Sequence, residues 1–269
     1  MAAGELGVPR SRRDPASRDA TIGRPRLGHY LTEPSRGAAE LAALLLAAPW
    51  LARAPRGDGH PVLVLPGLLA SDRSTIALRR FLSRLGYRVQ GWQLGRNVGR
   101  SAVIADALPA ALDRLAGRGA RPVTVIGWSL GGVYARDLAR RSPHLVRQVI
   151  TLGSPFAMSD PSQSRISPAV RRRAQRNSVH RSMPTSVPVP ASAIYSRSDG
   201  IVAWQTCRDR PGPCAENIAV RGSHVGLGHN PAVLWVLADR LAQPSGRWQP
   251  FVAPPLLRAL YPADRETIA

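Results

Sequence analysis

The chain has 269 residues, 44% of them hydrophobic and 5% aromatic, enough apolar material for one substantial core built mainly from Ala, Leu and Val. All 37 cationic residues are arginine, with no lysine, and the formal net charge is +20. These arginines are spread along the chain without a nucleic-acid-binding motif, so they read as surface charge and no nucleic-acid partner is expected, although the same charge suits peripheral contact with an anionic membrane surface. Two cysteines, Cys207 and Cys214, exclude a disulfide framework, and nothing around them suggests metal ligation.

Residues 1–25 are polar and arginine-rich, without an apolar segment of signal-peptide type, and are expected to form a loose basic tail. Residues 26–269 are expected to form a single domain. Glu33 to Ala54 predicts a helix, and its most apolar run, Leu41 to Leu51, is too short to span a bilayer and is expected to pack. With neither a leader nor a spanning segment, the sequence points to the cytoplasm. Pro55 to His60 is a turn-rich connector.

From Pro61 the chain alternates strand and helix. Strands are predicted at Val62–Leu65, Tyr87–Trp92, Val123–Ile126, Val146–Leu152, Val189–Tyr195 and Ile218–Val220. Helices are predicted at Thr75–Leu85, Ala102–Leu115, Leu130–Arg141 and Ala232–Leu241. Repeated units of this kind make an α/β fold, a mostly parallel central sheet with helices on both faces. One insertion breaks the rhythm: Phe156 to Pro188 carries Arg171, Arg172, Arg173 and Arg176, and its length suits either a short lid over a site or a solvated excursion.

The chemistry centres on Gly127-Trp128-Ser129-Leu130-Gly131-Gly132, a G-x-S-x-G pattern. The pattern is short, but a predicted buried strand precedes it and a helix follows, as a nucleophile elbow requires. The turn lifts the Ser129 hydroxyl above the carboxyl edge of the sheet, where the helix N-terminus offers N–H groups and partial positive charge. The second element is Pro66-Gly67-Leu68-Leu69 after the first strand. An acyl-transfer oxyanion needs two preorganised donors, here assigned to the backbone N–H groups of Leu68 and Leu130, with Leu69 as the alternative to Leu68.

These two motifs resemble those of bacterial lipases and esterases of the α/β-hydrolase superfamily, over roughly Pro61 to Leu241. Where many of those lipases carry His-Gly this chain has Pro66-Gly67, which spares the backbone donor. The resemblance implies the α/β-hydrolase fold, hydrolysis of a small-molecule or lipid ester, and neither cofactor nor metal. It also implies the triad order Ser, then acid, then His. His224, first in the glycine-rich loop after the last strand, is expected as the base, ahead of His229 and His180. Asp199, in a turn after an apolar strand, is expected as the acid, ahead of Asp160; Asp209 reads as a surface residue. Trp128, Trp204 and Phe156 are candidates for the substrate pocket. An acyltransferase or thioesterase could use the same triad, and Cys207 and Cys214 could be bonded or free.

Overall fold

The apolar runs settle side by side because both their faces find helices to cover them. The computed structural model describes residues 22–99, 102–117, 121–175 and 186–263. Its strands are β1 (Pro61–Leu65), β2 (Arg88–Gly91), β3 (Val123–Trp128), β4 (Val146–Leu152), β5 (Ala191–Tyr195) and β6 (Ala215–Ala219), in the order β2-β1-β3-β4-β5-β6. Every pairing is parallel. The chain runs outward from β1 to β2, then returns past β1 to β3, so the strand order reverses between β1 and β3. In such sheets a crevice opens at the carboxyl ends where this reversal occurs.

Alternation along the strands sorts the core into two layers. Val62 and Val64 of β1, with Ile126 and Ile150, pack against Leu78 and Leu82 of α4 (Ile76–Arg84) and against α8 (Pro231–Ala242). Leu63 and Leu65 point the other way, with Val125 and Val149, onto α5 (Ala102–Gly117) and α6 (Leu130–Arg141). This doubly covered parallel sheet is the expected architecture.

Three strands have other bounds than expected, for local reasons. The strand predicted at Tyr87–Trp92 is shorter at both ends: the Tyr87 N–H donates to the Leu82 carbonyl, and the Trp92 N–H leaves the ladder for the Asp72 carboxylate at 3.0 Å. The strand predicted at Val189 starts at Ala191, because Pro190 has no N–H for the ladder. The last strand begins earlier than predicted, at Ala215; Glu216 and Asn217 hid it from a hydropathy reading.

The N-terminal segment is a correction. Beside α1 (Leu27–Leu31), the single helix expected over Glu33–Ala54 is two, α2 (Glu33–Leu46) and α3 (Ala48–Leu51). Pro49 can neither donate back to the preceding turn nor fit against it, so the helix breaks at Ala47. Leu51 is buried and Trp50 stacks on Trp235, but Leu41, Leu45 and Leu46 are exposed, at 49%, 76% and 85%. The polar side of α2 decides this: Glu33 and Glu40 turn inward to backbone donors, and the leucines face out. No helix among the described residues is long and apolar enough to cross a membrane.

The insertion at 156–188 is partly described. Its first half lies along the turn after β5: the Ala157 N–H donates to the Thr206 carbonyl at 3.0 Å and Ser164 bridges Val202 antiparallel. A short helix, α7 (Pro168–Gln175), follows. Residues 176–185, His180 among them, lie outside the described residues, as do 1–21 of the expected tail.

At the opposite edge of the sheet, His60 is fully buried between the Asp58 carboxylate, 2.5 Å from Nδ1, and the Thr124 hydroxyl, 2.8 Å from Nε2. Burial pushes its pKa below the ordinary histidine value despite Asp58, and Arg147 and Arg121 add to the effect. The folded state therefore binds this proton less readily than the unfolded chain. The corresponding stability is present above about pH 6.5, the unfolded value, and is lost as the pH falls below it. Thermal unfolding of the wild type should show a midpoint that drops between pH 7 and pH 5. That slope should flatten in His60→Gln; equal slopes would show that His60 does not carry the effect.

Candidate active site

Ser129, Leu68, Asp199 and His224 all lie on loops that leave the carboxyl edge of the sheet. Ser129 follows β3 with φ +52° and ψ −123°, a left-handed conformation that a side chain rarely tolerates. Two hydrogen bonds hold it there: its N–H donates to the Leu152 carbonyl at 2.8 Å, and its carbonyl accepts from the Gly132 N–H at 3.0 Å. The glycines make room. A Cβ on Gly127 would stand 2.3 Å from the Gly132 backbone, one on Gly131 2.3 Å from the Leu65 carbonyl oxygen, and one on Gly132 2.0 Å from Ser154 Oγ. α6 starts at Leu130, so the hydroxyl stands at the positive end of a 12-residue helix.

The loop after β1 runs beside the serine: a Cβ on Gly67 would lie 3.2 Å from Ser129 Cβ. Asn97, fully buried, pins this loop by donating from Nδ2 to the Pro66 carbonyl at 2.9 Å. Its backbone accepts from the Leu69 N–H at 2.6 Å and donates to the Ala70 carbonyl at 2.7 Å. The Leu69 N–H is thereby engaged by the protein itself. The N–H groups of Leu68 and Leu130 meet no protein acceptor among the described residues.

Asp199 and His224 are joined. Asp199, in the turn after β5, accepts from the Ile201 and Val202 N–H groups on Oδ1, both at 2.8 Å. Its Oδ2 lies 2.6 Å from His224 Nδ1, on the loop after β6. The loop after β4 backs the pair: Gly153, with φ +53°, would otherwise put a Cβ 3.2 Å from Nδ1 and 3.3 Å from Oδ2. Burial alone would push the His224 pKa down, but the Asp199 charge and hydrogen bond, with the Glu33 charge behind them, raise it above the ordinary value. A carboxylate only accepts, so Nδ1 carries the proton and Nε2 is left basic. Neither Nε2 nor Ser129 Oγ has a hydrogen-bond partner among the described residues.

The remaining sequence candidates have other neighbours. The Trp128 Nε1 donates to the His224 carbonyl at 3.1 Å, and its ring fills the space above Gly228. Trp204 stacks on Tyr195, and Phe156 lies 3.9 Å from the Arg136 guanidinium. Asp209 is not a surface residue: it is buried and pairs with Arg136 of α6 at 2.7 Å. Asp160 caps a turn at Pro161–Gln163. Cys207 and Cys214 are free thiols, and burial raises the Cys207 pKa well above its usual value. Among the described residues no cluster of His, Cys, Asp and Glu could hold a metal ion.

Sequence reasoning missed the contribution of α2. Glu33 and Glu40 reach the backbone of the Asp199 and His224 loops, and His229 Nε2 bonds the Gly37 carbonyl at 2.9 Å, which places His229 on α2 rather than on the serine. The one sequence signal was two acids in an otherwise Ala- and Leu-rich helix.

No protein-family model matches the sequence, and no curated protein matches it. Solved structures do resemble it. Lipase B of Aspergillus fumigatus has a TM-score of 0.54 at 17% identity over 71% of this chain, which spans 55% of that lipase's length. The Bacillus licheniformis lipase BlEst2 gives 0.53 at 16% identity, covering 70% of this chain and 94% of that one. A structure of the metagenome-derived lipolytic enzymes LipS and LipT gives 0.50 at 18%, covering 70% and 93%. This chain has the α/β-hydrolase fold.

The two histidines can be separated without an activity assay. The Nδ1 proton held by Asp199 should give a far-downfield NMR resonance that vanishes in His224→Ala. It should persist in His229→Ala, which instead frees one bond of α2 and lowers unfolding stability by about 1 kcal/mol. A resonance that survives in His224→Ala would place this hydrogen bond elsewhere.

Proposed function

We propose that this α/β-hydrolase-fold chain is a serine hydrolase of carboxylic esters, with Ser129 as nucleophile, His224 as base and Asp199 as its orienting acid. One observation carries the reading: a serine forced to φ +52° at a helix N-terminus shares a sheet edge with a buried Asp–His pair 2.6 Å apart. The chain order Ser, Asp, His is the one this fold uses for such a triad.

In the proposed reaction His224 Nε2 takes the Ser129 proton as Oγ attacks the ester carbonyl. The N–H groups of Leu68 and Leu130, preset and unengaged, receive the oxyanion. The proton on His224 passes to the departing alcohol. Water, deprotonated by the same nitrogen, then releases the acid from Ser129. Asp199 keeps Nδ1 protonated throughout and stabilises the imidazolium. Exposed Leu69, Met158 and Val225, on the loops after β1, β4 and β6, supply apolar surface suited to an acyl chain. The insertion from Phe156 docks on the segment that follows Asp199, which supports a role for it as a lid over this mouth.

A panel of p-nitrophenyl esters of graded acyl length, with and without an added alcohol, tests the reading. Wild type should release p-nitrophenol, and Ser129→Ala should lower turnover by several orders of magnitude while melting as the wild type does. The rate should rise with pH through a value above about 6.5, because the raised His224 pKa keeps the base protonated at lower pH. Persistent turnover in Ser129→Ala would refute the assignment of the nucleophile. Acceleration by alcohol with transfer to it would make the chain an acyltransferase.

A further inference from the structure

We infer that Glu33 is a positioning residue for the proposed hydrolysis, a single carboxylate from α2 that suspends the acid loop and the base loop together. The inference rests on the ester-hydrolase reading of Ser129, but its geometry is independent of it. Glu33 Oε1 accepts from the Gly200 N–H at 2.8 Å, next to Asp199, and from the His224 N–H at 3.1 Å. Oε2 accepts from the Val225 N–H at 2.9 Å. The peptide groups flanking both members of the Asp–His pair therefore converge on one side chain.

Glu33 is 2% exposed, and a carboxylate in such a place is costly unless its lone pairs are filled. The three backbone donors fill them, with Arg36 as a fourth partner at 2.9 Å. Arg36 extends the tie, donating to the Ser198 carbonyl at 3.0 Å and the Gly222 carbonyl at 3.4 Å. Glu40, nearly two turns on, accepts from the Ser223 N–H at 2.6 Å and from Asn230 Nδ2 at 2.8 Å. The loops are shaped to receive α1 and α2. A Cβ on Gly200 would lie 2.5 Å from the Tyr30 backbone nitrogen, and one on Gly226 2.1 Å from the Glu40 carboxylate.

Asp199 and His224 sit on loops from different strands, so their 2.6 Å contact depends on how those loops stand relative to each other. A carboxylate bonded to both fixes that relation to within a hydrogen-bond length, and it adds negative charge behind the imidazole. The ionisable groups around His224 are Asp199 from the turn after β5 and, from α2, Glu33 with its partner Arg36 and Glu40 one residue away at Ser223. The neighbouring residue of the elbow, Trp128, reaches the His224 carbonyl at 3.1 Å.

The test is Glu33→Gln, which keeps the shape but removes the charge and turns one acceptor into a donor. In a Ser129→Ala background, which needs no turnover, the His224 titration followed by NMR should move to lower pH. With Ser129 present, kcat on a p-nitrophenyl ester should drop on the order of 10²-fold with KM little changed. A merely structural role would lower the melting temperature and leave the titration and kcat of the folded variant where they were, which would overturn the inference. Glu33→Asp keeps the charge and should move the titration back toward wild type. If the glutamine variant does not fold, folded Glu33→Asp decides: a loss in kcat of at least about tenfold supports the positioning role, and unchanged kcat ends it. Were the wild type to show no ester turnover, the hydrolase reading would fail while the titration still judged Glu33.

Discussion

The contact between Asp199 and His224 sets the terms for everything around it. Both side chains are nearly removed from solvent, and a charged carboxylate in such a place must find donors in the protein. It finds the Ile201 and Val202 N–H groups on one oxygen and the imidazole on the other. The surrounding backbone then has to be exact in position without bringing bulk. That is why a glycine with positive φ stands behind the pair at Gly153, why Trp128 holds the His224 carbonyl, and why α2 turns its acids rather than its leucines inward.

Ser129 obeys the same economy of space. Its conformation is strained, and the strain persists because Leu152, Gly132 and the close packing of Gly127, Gly131 and Leu65 leave the chain no other path. The same packing aims the helix α6 at the hydroxyl. The serine, the Leu68 loop and the Asp–His pair arrive from β3, β1, β5 and β6, and only the parallel arrangement of those strands puts all their carboxyl ends on one edge. The reversal of strand order between β1 and β3 opens the crevice in which the loop carrying Gly67 passes the serine.

Much of this was legible in the sequence because it rests on local rules. The buried strands announce themselves as apolar runs, and the elbow needs its glycines within a few residues of the serine. Asp199 and His224 were selected by strand ends and chain order, and the structure brings them into contact. What stayed hidden depends on partners distant in sequence. Asp209 looked like a surface acid because its partner Arg136 lies far back in the sequence on α6, and Glu33 looked like no more than the first residue of an Ala- and Leu-rich helix because the three N–H groups it serves lie beyond residue 199. The exposure of Leu45 and Leu46 follows from the same buried acids, so the packing expected of Leu41 to Leu51 holds at Leu51 and not at Leu41, Leu45 or Leu46. The break at Ala47 was readable from Pro49, since a proline cannot continue the hydrogen-bond pattern.

A covalent acyl group on Ser129 is the step that a serine hydrolase must form and that a binding protein on the same scaffold would not. Rapid-quench mass spectrometry of the intact chain mixed with an excess of p-nitrophenyl ester measures it directly. The expected result is a transient mass increase equal to the acyl group, mapped to the proteolytic peptide that contains Ser129 and formed far more slowly in His224→Ala. No adduct in a chain that turns over the ester, or an adduct on a different residue, would contradict it.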